Sequence, residues 1–105
     1  MIISSCYRCF FQENLAYNKP TDQSSTYSDR GGTGSSDRAV DGKINTDYYA
    51  GRTCSHTKDG RYAWWRVDLG QVESVTEVYV VNREGYHGWR LGSFEIRVGR
   101  LKFPF

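Results

Sequence analysis

Three short runs in the second half of the chain alternate apolar and polar residues. They are residues 65–69, 75–80 and 94–98, and a glycine follows the first and the last, at Gly70 and Gly99. Successive side chains of a strand point to opposite faces, so this alternation predicts antiparallel strands with one buried face. No long stretch shows the period of a helix. We therefore predict an all-β chain built as an antiparallel β-sandwich.

The polar segments between these runs are predicted to be loops. Residues 18–38 are rich in Gly, Ser, Thr and Asp, which predicts one long surface loop that begins with an extended segment after Pro20. Residues 39–42 are expected to form a single helical turn or a tight turn, and residues 82–93 a loop between two strands. Binding residues usually lie on loops held by a rigid β scaffold, so the candidate site is expected there.

Length and charge exclude several classes of protein. A chain of 105 residues fits one domain, and its net charge of +2 is too small to indicate a nucleic-acid surface. The apolar runs are too short to span a bilayer. The sequence has no phosphate-binding glycine loop, no paired CxxC motifs and no HExxH motif.

The first thirteen residues are predicted to be a poorly specified leader, and residues 14–105 the domain. Arg8 interrupts an apolar stretch that is too short for a signal peptide of the usual kind. The last predicted strand lies seven residues from Phe105. An all-β domain that ends so soon after a strand often lacks its closing strands, so we expect them to be missing.

The chain has three cysteines, Cys6, Cys9 and Cys54. An odd number in a chain of extracellular character predicts an unpaired thiol or an absent partner. The Cys6–Cys9 spacing also occurs in redox motifs, but those need a preceding strand and a following helix, which the pattern here does not indicate. Whether Cys6 and Cys9 pair with each other stays open.

Several hydrogen-bond donors are predicted to share one loop region. They are His56, Arg83 and Arg90, with the adjacent aromatic residues Tyr48 and Tyr49 nearby in sequence. Two guanidinium groups and an imidazole offer many donors and few acceptors. Such a set suits an anion or a neutral polyol, and an aromatic ring would cover the apolar face of a sugar.

Two other interpretations use the same residues. Arg83 and Arg90 could be solvated loop residues that pair with Glu84 or Asp59. An enzyme is less well supported, because glycoside hydrolysis needs two facing carboxylates and the chain has no GxSxG motif. The residue types therefore favour a binding module over an enzyme.

Five motifs in order resemble the fucolectin domain, also called the F-type lectin or eel agglutinin-like domain. They are residues 14–20, 38–42, 54–57, 64–70 and 94–99. The resemblance covers about residues 14–99, and it implies a discoidin-like β-jelly roll. Some of these motifs also occur in discoidin-type coagulation-factor modules.

The resemblance assigns the donor-rich residues to sugar binding. The family has a His, then 26 residues, then Arg-x-Asp, and a basic residue farther on. Here 26 residues separate His56 from Arg83, and Arg90 follows Arg83 by seven. The resemblance implies that these three donate to hydroxyls and the ring oxygen of L-fucose, while Tyr48 and Tyr49 pack against its methyl group.

Two positions depart from the family pattern. Gly85 stands where the family has the Asp of Arg-x-Asp, a carboxylate that would orient the loop. Tyr86-His87 stands where many members have two adjacent cysteines against the sugar. Tyr86 can replace that apolar contact and is predicted to line the site.

The resemblance also implies a calcium ion bound mainly by backbone carbonyls. The matching residues are Arg38, Asp41 with its carboxylate, Lys43, and Thr53 with its carbonyl and hydroxyl, and hard oxygen ligands of this kind suit calcium. The family's remaining ligands, and the cysteine that would pair with Cys54, come from a Cys-Glu pair that this chain lacks. We therefore expect that roughly the last third of the domain is absent.

The resemblance implies a secreted, calcium-dependent lectin, active in innate recognition. Its partners would be fucosylated glycans on cell surfaces or microbes, with no nucleic acid and no membrane insertion, and the family suggests a homo-oligomer. Two alternatives stay open. One is a discoidin-like adhesion module that binds protein or lipid, and the other is a truncated product that binds nothing.

Overall fold

The computed structural model describes residues 2–6, 12–30 and 32–100, and within them the chain forms short strands and little helix. The strands are β1 (Ile2–Cys6), β2 (Gln12–Asn14), β3 (Thr21–Gln23), β4 (Ser28–Asp29), β5 (Gly32–Thr33), β6 (Trp65–Val67) and β7 (Glu77–Tyr79). The helices are α1 (Tyr48–Gly51) and two 3-10 helices, Ser36–Val40 and Tyr86–Arg90. Within the described ranges, no helix has the length and apolar character needed to cross a membrane.

All strand pairs in the described part of the chain are antiparallel, as predicted. One sheet has the order β2-β1-β7, and two further sheets pair β3 with β6 and β4 with β5. In the β3–β6 pair Gln23 lies opposite Trp65, so a segment from the first quarter of the chain pairs with the first of the predicted strands.

The predicted leader contains β1. Ile3 of this strand lies opposite Val78, and Ser4 lies opposite Asn14, so residues 2–6 occupy the centre of a sheet. The reason is that β2 and β7 both offer backbone partners to this segment, which its own sequence pattern does not reveal. Cys9 lies outside the described residues, so the structure does not test whether Cys6 and Cys9 form a disulfide.

The core is small and centres on two side chains. Ala16 and Val40 are fully buried, and partly buried apolar residues of the segment 65–78 pack against them: Trp65, Val67, Leu69, Val75 and Val78. The Trp65 indole Nε1–H donates to the Ser36 carbonyl over 2.9 Å, which satisfies its polar atom next to the core.

Two of the three predicted strands form, in shorter versions, and the third does not. β6 and β7 confirm the predictions over 65–69 and 75–80. Residues 94–98 form no strand, and Phe94, Ile96 and Val98 are each more than half exposed. A strand needs a neighbouring strand for its backbone N–H and C=O groups, and no described strand pairs with this run.

Short strands interrupt the segment 18–38, for which the sequence predicts one long loop. β3, at Thr21–Gln23, confirms the extended segment predicted after Pro20, and the two-residue strands β4 and β5 follow it. These strands are polar, so long-range pairing with β6 and a local hairpin determine them, and no hydrophobic alternation marks them. The predicted turn at 39–42 begins earlier, as the 3-10 helix Ser36–Val40.

Candidate functional site

His56 is held by backbone hydrogen bonds to two distant loop segments. Its N–H donates to the Gly34 carbonyl over 2.9 Å, and its carbonyl accepts from the Tyr27 N–H over 2.8 Å. Gly34 in turn donates its N–H to the Tyr27 carbonyl over 3.0 Å. A Cβ atom at Gly34 would lie 2.5 Å from the His56 Cβ, so only glycine allows this close approach.

The two adjacent tyrosines differ in exposure. α1 begins after Asp47, whose carboxylate caps it by accepting from the Tyr49 and Ala50 N–H groups over 3.1 and 2.9 Å. The Tyr48 side chain is buried at 6% exposure, whereas Tyr49 is 41% exposed. The Tyr48 hydroxyl lies 2.6 Å from His56 Nδ1. Tyr48 therefore packs in the interior against His56, and the Tyr49 ring is open to solvent.

Arg83 lies over the ring of Tyr48. Its guanidinium carbon is 4.0 Å from the Tyr48 ring centroid and 5.9 Å from that of Tyr49, a cation–π arrangement. The loop is tethered beside Arg83, because the Glu84 N–H donates to the Thr46 carbonyl over 2.9 Å and the Thr46 hydroxyl donates to the Glu84 carboxylate over 2.8 Å. The Glu84 carboxylate therefore hydrogen-bonds to Thr46. This contact argues against the alternative in which Glu84 forms an ion pair with Arg83 or Arg90.

His56 and Arg90 line one cavity of about 480 Å³. The remaining lining residues are Tyr27, Thr57, Lys58 and Asp59. The Tyr27 ring lies against His56, with 4.5 Å between ring centroids. Of the residues predicted to bind sugar, the structure thus brings His56, Arg83, Arg90, Tyr48 and Tyr49 into one neighbourhood, and their role in binding stays a prediction.

The electrostatics keep His56 neutral near pH 7. Burial lowers the pKa of its imidazole, and the cations Arg83 and Arg90 lower it further, against the opposite effect of Asp29 and Asp59. A neutral imidazole has one donor nitrogen and one acceptor nitrogen.

The Tyr48 hydroxyl is the hydrogen-bond partner of His56 Nδ1. Burial raises the pKa of the Tyr48 phenol, so its hydroxyl stays protonated. When this hydroxyl donates to His56 Nδ1, the imidazole proton lies on Nε2; in the other tautomer Nδ1–H donates to the phenol oxygen. The first tautomer provides an Nε2–H donor beside the two guanidinium groups.

Tyr27 and Asp29 are site residues that sequence reasoning missed. Tyr27 covers the His56 ring, and the Asp29 carboxylate is close enough to raise the pKa values of both His56 and Tyr48. The available signal was that Tyr27 is the one aromatic residue in the polar segment 18–38.

Tyr86 lies apart from the donor cluster. Its side chain is 84% exposed, its ring contacts that of His87 with centroids 5.4 Å apart, and it does not line the cavity of His56 and Arg90. Gly85, before it, has φ +88°. An aspartate would be strained in this left-handed region, so the departure from the family pattern accompanies a backbone that suits glycine.

The residues predicted to hold calcium provide oxygen ligands of the right type. Asp41 accepts from the Lys43 N–H over 2.8 Å, and the buried Thr53 hydroxyl donates to the Asn45 carbonyl over 3.1 Å. Burial raises the pKa of the neighbouring Cys54 thiol, and the charges of Asp41 and Arg38 act on the same thiol.

Side chains alone would not hold a metal ion here. Among the described residues, no three His, Cys, Asp or Glu side chains form a group able to bind a metal. A cation at this place would depend on backbone carbonyls together with Asp41 and Thr53, as the sequence predicts. Cys54 is a free, half-buried thiol in the structure, and its predicted partner is not tested by the structure.

Comparison with known families identifies the fold. The model of the NedA-like, galactose-binding domain family matches residues 38–102, well over half of the chain. The chain belongs to this family. Membership confirms the predicted discoidin-like architecture, and it covers the segment that contains His56, Arg83 and Arg90.

Curated relatives agree with the predicted resemblance to fucolectins. The chain is 35% identical to Fucolectin-3 of Anguilla japonica over 92 residues, which are 87% of this chain and 50% of the relative. It is 33% identical to Fucolectin of Anguilla anguilla over 92 residues, 87% of this chain and 58% of the relative. A pentraxin fusion protein of Xenopus laevis is 32% identical over 65 residues, 62% of this chain and 15% of the relative. The chain thus spans about half the length of the fucolectins it matches, and no solved structure matches it.

Proposed function

We propose that this chain is a lectin domain that binds L-fucose at the end of glycans and performs no catalysis. The observation that carries the proposal is that His56 shares a cavity with Arg90 and contacts Tyr48, whose ring also carries Arg83. Its support from outside the structure is the similarity to proteins named fucolectins.

The proposed roles follow from the donors and the exposed ring. His56 would donate from Nε2, and the two guanidinium groups would donate to neighbouring oxygens of the same sugar. Tyr49, exposed beside them, would pack against the apolar face or the methyl group of the sugar. The cavity of about 480 Å³ has room for one monosaccharide and part of its neighbour.

Calcium is part of the proposal. The oxygen ligands of Asp41 and Thr53 fit a hard cation, and Arg38 and Lys43 would contribute through their backbone carbonyls. Such an ion would fix the loop between the 3-10 helix Ser36–Val40 and α1, which carries Tyr48. The chain would act outside the cell in innate recognition, as part of a homo-oligomer, because single-sugar sites gain useful avidity only in several copies.

The test is a titration and a thermal melt with L-fucose, each in calcium and in chelator, with D-galactose in a parallel arm. L-fucose should raise the melting temperature, and chelator should reduce the effect. Arg83→Ala should weaken L-fucose binding by about 10- to 100-fold, since a hydrogen bond from a charged donor contributes about 1.5–3 kcal/mol.

Arg61→Ala is the matched control, because Arg61 is an exposed arginine stacked on a tyrosine, with its guanidinium carbon 5.6 Å from the Tyr62 ring. It should bind L-fucose as the unmodified chain does. Full L-fucose binding by Arg83→Ala would refute the site assignment. Binding of D-galactose alone would refute the choice of sugar, and vesicle binding that L-fucose does not compete would favour the adhesion alternative.

A further inference from the structure

A second cavity of about 470 Å³ lies beside Tyr49. Its lining residues in the described part of the chain are Arg30, Tyr49, Ala50 and Arg52. The Arg30 guanidinium carbon is 4.8 Å from the Tyr49 ring centroid. Two cations, one aromatic ring and one methyl group therefore line this cavity, and no carboxylate does.

The two arginines are not neutralised by acidic neighbours. No described carboxylate lies within ion-pair distance of Arg30 or Arg52. Asp47, the acidic residue next to this wall, directs its carboxylate to the N–H groups of Tyr49 and Ala50.

Arg52 is placed by the end of α1. It follows the last helical residue and adopts the left-handed conformation, with φ 52° and ψ 38°. This conformation turns the chain out of the helix, and glycine or asparagine usually occupies it. Arg52 consequently lies on the same wall as Tyr49 and Ala50.

Tyr49 connects the second cavity to the donor cluster. Its ring centroid is 5.0 Å from that of Tyr48, which is 5.3 Å from the imidazole of His56. A fucose held by His56 and Arg83 would therefore place the next sugar of the same glycan near Arg30 and Arg52. A guanidinium group binds a planar or tetrahedral oxyanion with paired hydrogen bonds.

We infer that the second cavity binds an anionic substituent, a carboxylate or a sulfate ester, on the sugar next to the fucose. The inference rests on the proposed function, because the fucose delivers the acidic sugar to this cavity. It makes the preferred ligand of the site an acidic fucosylated glycan.

The test compares three synthetic glycans by titration calorimetry at low salt. One is a neutral fucosylated trisaccharide, the second carries a sulfate ester on the neighbouring sugar, and the third carries a carboxylate there. At least one acidic glycan should bind the unmodified chain about tenfold more tightly than the neutral one, as expected for a pair of partly exposed charge-assisted contacts. The ratio should shrink as added salt screens the charges.

Variants test whether the two arginines are responsible for the preference for acidic glycans over the neutral one. In Arg52→Gln the acidic-to-neutral affinity ratio should fall several-fold, and in the Arg30→Gln, Arg52→Gln double variant it should fall to about one. Arg52→Lys should retain part of the preference, because it keeps the charge and loses the paired hydrogen bonds. Arg61→Gln removes the same charge elsewhere and should keep the full ratio. A thermal melt of each variant reports its fold.

The failures of the two proposals are distinguishable. An unmodified chain that binds the neutral glycan but gives a ratio of one overturns the inference and leaves the proposed function standing. A tenfold ratio that persists in the double variant also overturns the inference. An unmodified chain that binds none of the three glycans overturns both. A preference for sulfate alone or for carboxylate alone supports the inference and identifies the substituent.

Discussion

The region before residue 70 and the region from 70 to 100 differ in what they bury. Among the side chains that the structure describes, the buried apolar ones all lie in the first region: Leu15, Ala16, Val40 and Tyr48. In residues 70–100 every described residue is at least partly exposed, including Phe94 and Ile96 of the most regularly alternating run. Regular alternation therefore does not secure burial, because burial depends on what another part of the chain places on the apolar face.

The candidate site spans both regions. His56, Tyr48 and Tyr27 belong to the first region, where backbone hydrogen bonds from distant segments fix them. Arg83 and Arg90 belong to the second, and the Glu84–Thr46 contacts join their loop to the first region. The region before residue 70, called the packed region below, therefore orients the aromatic and imidazole groups. The position of the guanidinium groups depends on the Thr46–Glu84 hydrogen bonds, which lie at the surface.

The largest expected effect is a charge placed in the packed region. Val40→Asp would bury a carboxylate next to Ala16, with no partner for it, and should destabilise the fold by about 3–5 kcal/mol. Chemical denaturation measures the loss. Val98→Asp is the matched control, because Val98 is 69% exposed, and it should change the free energy of unfolding by less than about 0.5 kcal/mol. Equal losses in the two variants would contradict the contrast between the regions.

A smaller effect is expected from a single methyl group behind the site. In Gly34→Ala the new Cβ would lie 2.8 Å from the His56 backbone nitrogen, so His56 must shift. We expect a loss of about 1–3 kcal/mol in stability and weaker L-fucose binding. Denaturation and titration measure the two.

Gly92→Ala is its control in the exposed region. The nearest atom to its added Cβ would be the Trp89 carbonyl oxygen at 4.0 Å, so both stability and binding should stay unchanged. Normal L-fucose binding by a folded Gly34→Ala variant would show that the position of His56 does not govern recognition.

The smallest expected effect is a pH dependence of the free energy of unfolding, caused by His56 in the packed region. Because the folded-state pKa of His56 is lowered, the unfolded chain takes up a proton first as the pH falls. The stability contributed by His56 is full above its unfolded pKa of about 6.5 and is lost as the pH falls from there through the lowered value.

Thermal melts between pH 8 and pH 5 measure this dependence. L-fucose affinity should decrease over the same range, because a protonated imidazole repels Arg83 and Arg90 and can no longer accept from Tyr48. His56→Gln should remove this part of the pH dependence. An unchanged dependence in that variant would assign the titration to another group.

Local patterns predicted the parts of the fold that depend on local chemistry. The alternation at 65–69 and 75–80 predicted β6 and β7. The spacing of His56, Arg83 and Arg90, which matches the family motif, predicted residues that lie close together in the structure. The same reasoning failed at 94–98, where the side-chain pattern is that of a strand and no described strand supplies hydrogen bonds. It also missed β4 and β5, whose polar residues carry no strand signal.

The amino-acid sequence by itself determined the antiparallel all-β class and the donor-rich chemistry of the candidate site, because both follow from residue types and their spacing. Only the tertiary structure decided that Tyr48 is buried and Tyr49 exposed, that Tyr27 covers His56, and that Arg30 and Arg52 share a second cavity. These properties depend on contacts between segments far apart in the chain, and such contacts leave no periodic mark on either segment.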